Sequence, residues 1–188
     1  YGVEPYDETT GRGEVRHILV RTGRGAAGVD QSSARQVMVC IVVNGSSLSH
    51  SDSLIERLFA IPYVRSVMQN ENTRRDNVIL GRHTKCLYGE PYIEDHIGDV
   101  TFRIQARSFY QVNPVQTEKL YALVAEYAAL TGNEVVWDIY CGIGTIGLTL
   151  ANKAKEIYGI EIIPEAIEDA RENARRNGIT NAHYVVGA

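Results

Sequence analysis

Val135-Val136-Trp137-Asp138-Ile139-Tyr140-Cys141-Gly142-Ile143-Gly144-Thr145-Ile146-Gly147 is the stretch on which the fold turns. Apolar and β-branched residues run as a short strand to Tyr140. Glycines then let the backbone turn tightly, and a helix begins with free N–H groups. Upstream, Pro114 opens a helix with Leu120, Leu123, Val124 and Tyr127 at helical spacing, and Gly132-Asn133 closes it. Downstream, the spacing predicts a helix over 145–153, a strand over 156–160, a helix over 164–177 stopped by Asn177-Gly178, and a strand over 182–186. Strand, loop, helix, strand, helix, strand implies a parallel, doubly wound sheet.

The residues before 107 follow a different pattern and read as antiparallel β with one or two helices. Expected strands are 14–21, Gln36–Val43 (QVMVCIVV), 64–69, 77–80, 85–88, 92–96 and 100–105. A short helix is expected over 51–60, capped by Ser51 or Ser53. The expected fold class is therefore α/β: a Rossmann-like sheet over 107–188, preceded by a smaller antiparallel α+β domain over 1–106. The first residues lack an initiator Met and the last follow a strand-like run, so both ends read as internal to a longer protein.

Composition narrows the function. The 188 residues carry a net charge of −4, which argues against a protein that grips nucleic acid by bulk electrostatics. Lys+Arg and Asp+Glu number 14 and 15 up to Leu130 but 5 and 8 beyond it, so the acidity lies in the second part. A local basic face remains open through Arg16, His17, Arg21, Arg24, Arg74, Arg75, Arg82 and Lys85. A solvated basic surface is the plainer reading of any one of them. No stretch has the roughly 18 apolar residues of a membrane helix. Cys40, Cys86 and Cys141 are scattered and odd in number; they suggest no metal site and no disulfide framework, and a reduced, cytoplasmic setting is expected.

Gly142-x-Gly144-x-x-Gly147 also fits a dinucleotide fingerprint, so the ligand must be argued from charge. A pyrophosphate sits on bare amides at a helix N-terminus, where a carboxylate repels it. Asp138 stands four residues before Gly142. Glu161, nineteen residues after Gly142, ends the next strand, where it can accept hydrogen bonds from ribose hydroxyls. S-adenosylmethionine carries a sulfonium and an ammonium and no phosphate, which suits this loop better than NAD. The alternative is that Asp138 merely caps the turn and the glycines only pack helix on strand.

Asp138-Ile139-Tyr140-Cys141-Gly142-Ile143-Gly144-Thr145-Ile146-Gly147 resembles motif I of the RNA uracil-5-methyltransferases of the RumA/TrmA type. Ser108-Phe109-Tyr110-Gln111-Val112-Asn113 is similar to that family's segment leading into its helix, and Ile157-Tyr158-Gly159-Ile160-Glu161 to its next strand. The resemblance runs from about Tyr6 to the end and is closer to the 23S rRNA members than to the tRNA members. It implies S-adenosylmethionine as cofactor, with contacts at Gln111, Tyr140, Thr145 and Glu161 beside Asp138, Gly142 and Gly144. It implies RNA, 23S rRNA first, as partner, and a reaction at carbon-5 of uridine. In that chemistry a cysteine thiolate adds to carbon-6 and a base later removes the carbon-5 proton. Both groups belong to later motifs, so no catalytic residue is expected in these 188 residues, nor the iron–sulfur cysteines that many members carry. Other substrates, such as tRNA or an amine, and a non-catalytic nucleotide-binding module are the competing readings.

Overall fold

The computed structural model describes residues 2–30 and 34–188. They form two compact units: Tyr1–Arg24, Gln31–Ile93 and Gln105–Arg107 make the first, and Gly25–Asp30, Glu94–Ile104 and Ser108–Ala188 the second.

The first unit holds strands β1 (Val15–Gly23), β2 (Gln36–Val43), β3 (Val64–Glu71) and β4 (His83–Gly89), hydrogen-bonded in that order. β1 pairs antiparallel with β2, and β3 with β4. β2 and β3 pair parallel, with Val39 opposite Val67 and Ile41 opposite Gln69. This corrects the all-antiparallel expectation for the first part: the sheet is mixed. The physical reason is helix α1 (Ser51–Phe59), which carries the chain from the end of β2 back to the start of β3. Neither Ser51 nor Ser53 caps α1. Its N-cap is His50, in left-handed backbone and without a side-chain cap. Val39, Ile41, Val43 and Leu48 form the core, with Leu54 and Leu58 of α1 packed against it.

Residues 77–80, expected as a strand, form none. Asn72 donates from Nδ2 to the Val78 carbonyl (2.6 Å) and the Ile79 carbonyl (3.0 Å). The acceptors that a neighbouring strand would need are thereby taken up inside a loop.

In the second unit, α2 (Pro114–Ala128) starts at Asn113, whose Oδ1 accepts from the Gln116 amide (3.1 Å). It ends at Ala129 in left-handed backbone, before Gly132. β7 (Val135–Ile139), β8 (Glu156–Glu161) and β9 (Ala182–Val186) form a wholly parallel sheet in that order. Helix α3 (Thr145–Leu150), continued by a 3₁₀ turn over Ala151–Lys153, joins β7 to β8, and α4 (Pro164–Arg176) joins β8 to β9. The strand–helix alternation and the parallel pairing expected from the sequence are found. Among the described residues the doubly wound arrangement is not, since the order β7-β8-β9 runs one way and right-handed crossovers then put α3 and α4 on the same face. Leu150, Ala151, Ala154 and Ile157 form the core on the helix-covered face.

The β5–β6 hairpin (Tyr92–Ile97 and Val100–Gln105) divides differently from the expected boundary at 106/107: residues from Glu94 to Ile104 belong with the second unit. α4 holds them there. Asn177 Oδ1 accepts from the Thr101 amide (2.9 Å), and its Nδ2 donates to the Thr101 carbonyl (2.7 Å). Asn173 Oδ1 accepts from the Arg103 amide (2.9 Å).

Candidate cofactor site

The loop between β7 and α3 has an open side and a packed side. Tyr140 (φ 65°), Gly142 (φ 56°) and Gly144 (φ 82°) all take left-handed backbone, which favours glycine at the last two and strains Tyr140. A Cβ on Gly142 would meet nothing within 4 Å, whereas one on Gly144 would fall 2.7 Å from Tyr184 Oη. One on Gly147 would fall 2.8 Å from Ile157 Cγ2 and 3.0 Å from Asp138 Oδ2. Gly142 thus borders free space, while Gly144 and Gly147 press α3 onto the sheet.

Two carboxylates occupy the loop's amides. Glu161 Oε2 accepts from Gly142 N–H (3.2 Å) and its Oε1 from Ile163 N–H (3.1 Å). Asp138 Oδ2 accepts from Gly147 N–H (2.9 Å). Asp138 is therefore turned toward the first turn of α3, where it caps a free amide. Burial pushes its carboxyl above the ordinary range, and the Gly147 hydrogen bond pulls the other way.

Asp138, Tyr140, Gly142, Gly144, Thr145 and Glu161 come together at the carboxyl ends of β7 and β8. Tyr140 is 82% exposed. The Thr145 hydroxyl is engaged with Tyr121 Oη of α2 (2.9 Å), so it ties two helices together. Gln111 is exposed in the segment before α2, linked to the loop through that same helix. Cys141 is buried, with its thiol pushed up to about 12 by burial and by the charges of Asp138 and Glu161. Among the described residues no group of three His, Cys, Asp or Glu is arranged to hold a metal ion, and no helix is long and apolar enough to cross a membrane.

Two supporting residues escape a reading of the sequence. Asn173, fully buried in α4, donates from Nδ2 to the Ile143 carbonyl of the loop (3.3 Å). An Asn on the Ala170/Ala174 face of a helix is the signal that could have found it. Tyr184 of β9 is also buried, and its ring fills the space over Gly159, where a Cβ would fall 2.5 Å from Cε1. Its Oη has no hydrogen-bond partner among the described residues.

Residues 130–188 match the family described as a methyltransferase domain. A protein of Halalkalibacterium halodurans described as an uncharacterized RNA methyltransferase is 51% identical over 187 residues, 99% of this chain and 39% of that protein. One of Clostridium acetobutylicum with the same description is 45% identical over 188 residues, all of this chain and 39% of that protein. The chain thus spans about two fifths of the length of the curated relatives it matches. The Pyrococcus abyssi tRNA (uracil-54, C5)-methyltransferase, solved in complex with S-adenosyl-L-homocysteine, superposes with a TM-score of 0.75 and 24% identity, over 99% of this chain and 42% of that one. At that identity the likeness establishes the fold: an α/β methyltransferase fold.

Proposed function

We propose that this chain is the cofactor-binding portion of an S-adenosylmethionine-dependent RNA methyltransferase acting on carbon-5 of uridine, with 23S rRNA the first candidate substrate and tRNA the second. The observation that carries the cofactor assignment is that carboxylates already occupy loop amides. A pyrophosphate would have to displace Glu161 from Gly142 and Asp138 from Gly147, and would meet two negative charges. A ligand with a sulfonium and an ammonium meets complementary charge instead. Each Glu161 oxygen keeps a second lone pair after its backbone bond, enough to accept from ribose hydroxyls.

The residues fit that ligand in distinct ways. Gly142 leaves room for close approach, Tyr140 presents an exposed ring beside it, and Glu161 fixes the sugar. Asp138, Asn173 and Tyr184 hold the loop from beneath. The cofactor supplies the methyl group. The nucleophile that would add to uracil carbon-6 is proposed to lie outside these 188 residues: Cys40 and Cys141 are buried with raised thiols, and neither suits a thiolate role. The RNA substrate is supported by the description shared by the relatives above.

Calorimetry with S-adenosylhomocysteine and with NAD tests the reading. S-adenosylhomocysteine is expected to bind and NAD not. Glu161→Ala is expected to weaken the former by about 1–3 kcal/mol, the cost of leaving hydroxyls unpaired. NAD binding at the loop, or an unchanged dissociation constant in Glu161→Ala, would sink the assignment.

A further inference from the structure

The loop of residues 72–82 between β3 and β4 is exposed, yet it is held from below by buried side chains. Asn70 and Asn72 are 0% and 1% exposed. Asn70 Oδ1 accepts from Gly81 N–H (2.7 Å), and its Nδ2 lies 3.0 Å from the Gly81 carbonyl oxygen. Asn72 Nδ2 takes the Val78 and Ile79 carbonyls, and its Oδ1 accepts from Arg74 N–H (3.0 Å). Arg16 closes the base, donating from Nη1 to the carbonyls of Asn72 (2.8 Å) and Arg74 (2.6 Å). Gly81 approaches β3 so closely that a Cβ there would collide with the Glu71 carbonyl oxygen. A buried amide left unpaired is costly, so this arrangement has one low-energy shape.

The outer side of this rigid loop has a definite chemistry. Val78 and Ile79 are 41% and 53% exposed. Arg74, Arg75 and Arg82 are exposed around them. Arg74 is paired with Asp76 through Nε–Oδ2 (2.7 Å). Among the described residues neither Arg75 nor Arg82 has an acidic partner. Arg107 adds a further cation, its Nη1 donating to the Arg82 carbonyl (3.1 Å). Cations flanking a small aliphatic surface complement a strand with phosphates outside and flat bases or sugars within. An acidic peptide would match the charges but would have less use for the aliphatic centre.

We propose that the β3–β4 loop is an RNA-contact surface, with Arg75 and Arg82 neutralising backbone phosphates and Val78 and Ile79 packing against sugars or bases of an unpaired segment. The proposal rests on the reading that the substrate is RNA, and it adds a grip outside the cofactor site. It also reconciles RNA contact with a net charge of −4, since the positive charge is local.

The test uses the full-length protein, a labelled uridine-containing RNA hairpin, and fluorescence anisotropy across a KCl series. Arg75→Gln/Arg82→Gln is expected to weaken binding on the order of tenfold, and to make the log–log salt slope shallower by roughly 1.4 to 1.8, the share of two phosphates. Arg75→Lys/Arg82→Lys should keep the slope. Val78→Ser/Ile79→Ser should weaken binding without changing it. In all three, S-adenosylhomocysteine affinity should stay at the wild-type value, which rules out misfolding. Unchanged affinity and slope in the Gln variant, with the wild type binding RNA, overturns the proposal, as does selective binding of an acidic peptide at this loop. A wild-type protein that neither binds nor methylates any RNA would instead sink the functional reading.

Discussion

β2, one of two interior strands of the first sheet, and β8, the central strand of the second, are both paired on both edges but differ in what their faces meet. Every residue from Met38 to Val43 is buried, so both faces of β2 are covered. β8 alternates. Ile157 and Gly159 are buried beneath the helices, while Tyr158 stacks between Trp137 of β7 (ring centroids 5.1 Å apart) and His183 of β9 (5.0 Å) on an open face. Full backbone pairing therefore does not fix how much apolar surface a strand removes from water. In the second sheet the energetically committed face is the one that supports the glycine loop. Substitutions there should disturb the cofactor site, and those on the other face should barely register.

The largest expected effect compares the thiols of the two regions. Cys40 lies inside β2 and Cys141 on the committed side of the second sheet. Burial pushes their thiols up from 9.0 to about 11 and to about 12. At pH 8 the thiolate fraction of Cys141 is thus about a thousandfold below that of an ordinary cysteine. Cys86 of β4 is exposed. Titration of the native chain with a disulfide reagent at pH 8 should count one fast thiol, Cys86, and all three only after denaturation. Fast modification of Cys141 would mean that the loop opens in solution and that its burial is not maintained.

Next comes Gly159→Ala. The added methyl would meet Tyr184 Cε1 at 2.5 Å and Cys141 Sγ at 3.0 Å, both inside a packed interior. A cost of about 3 kcal/mol or more is expected in denaturant unfolding. The double variant Gly159→Ala/Tyr184→Leu should recover part of it, because the two sites share one space. Strict additivity would separate Tyr184 from the glycine.

This packing also marks how far the sequence could be read. The order of elements from Pro114 onward was legible because helical and strand periods alternate cleanly, and because proline at 114 and 164 and glycine at 178 punctuate them. The Asp138-to-Gly147 loop and Glu161 were legible by position. The parallel pairing of β2 with β3 was not, since β2 is apolar throughout after Gln36 and fits either direction. The loop over 77–80 looked like a strand because the side chain that occupies its carbonyls, Asn72, lies outside the segment itself. The hairpin of β5 and β6 joined the wrong unit because Asn173 and Asn177 reach it across some seventy residues of sequence. Asp138 was the subtlest case: its position suited a cationic ligand, and its side chain caps a helix.

Asp138→Asn separates those two roles. An Asn can still accept from Gly147 N–H but carries no charge. Because the folded carboxyl titrates above its unfolded value of about 3.9, its contribution to stability is full below that value and is lost as pH rises through the folded one. At neutral pH the Asn variant should therefore be as stable as wild type or more so, and the difference should vanish in acid. S-adenosylmethionine affinity should nonetheless fall about tenfold, and S-adenosylhomocysteine, which lacks the sulfonium, should lose less. Equal losses for both ligands would reduce Asp138 to a cap.

The smallest effect belongs to the open face. Trp137 is 61% exposed, so Trp137→Ser removes little buried area and chiefly one ring contact with Tyr158. A loss of about 0.5–1 kcal/mol is expected, against about 2 kcal/mol for Val42→Ala in the doubly covered strand. The comparison depends on the face being wet in solution, which protein concentration can decide. If a second copy covered the Trp137–Tyr158–His183 ladder, the cost of Trp137→Ser would rise with concentration, as mass action requires. A cost that stays small and constant across a hundredfold range, about the span that would shift a dimer by 2.7 kcal/mol, leaves the asymmetry of β8 as a property of the single chain.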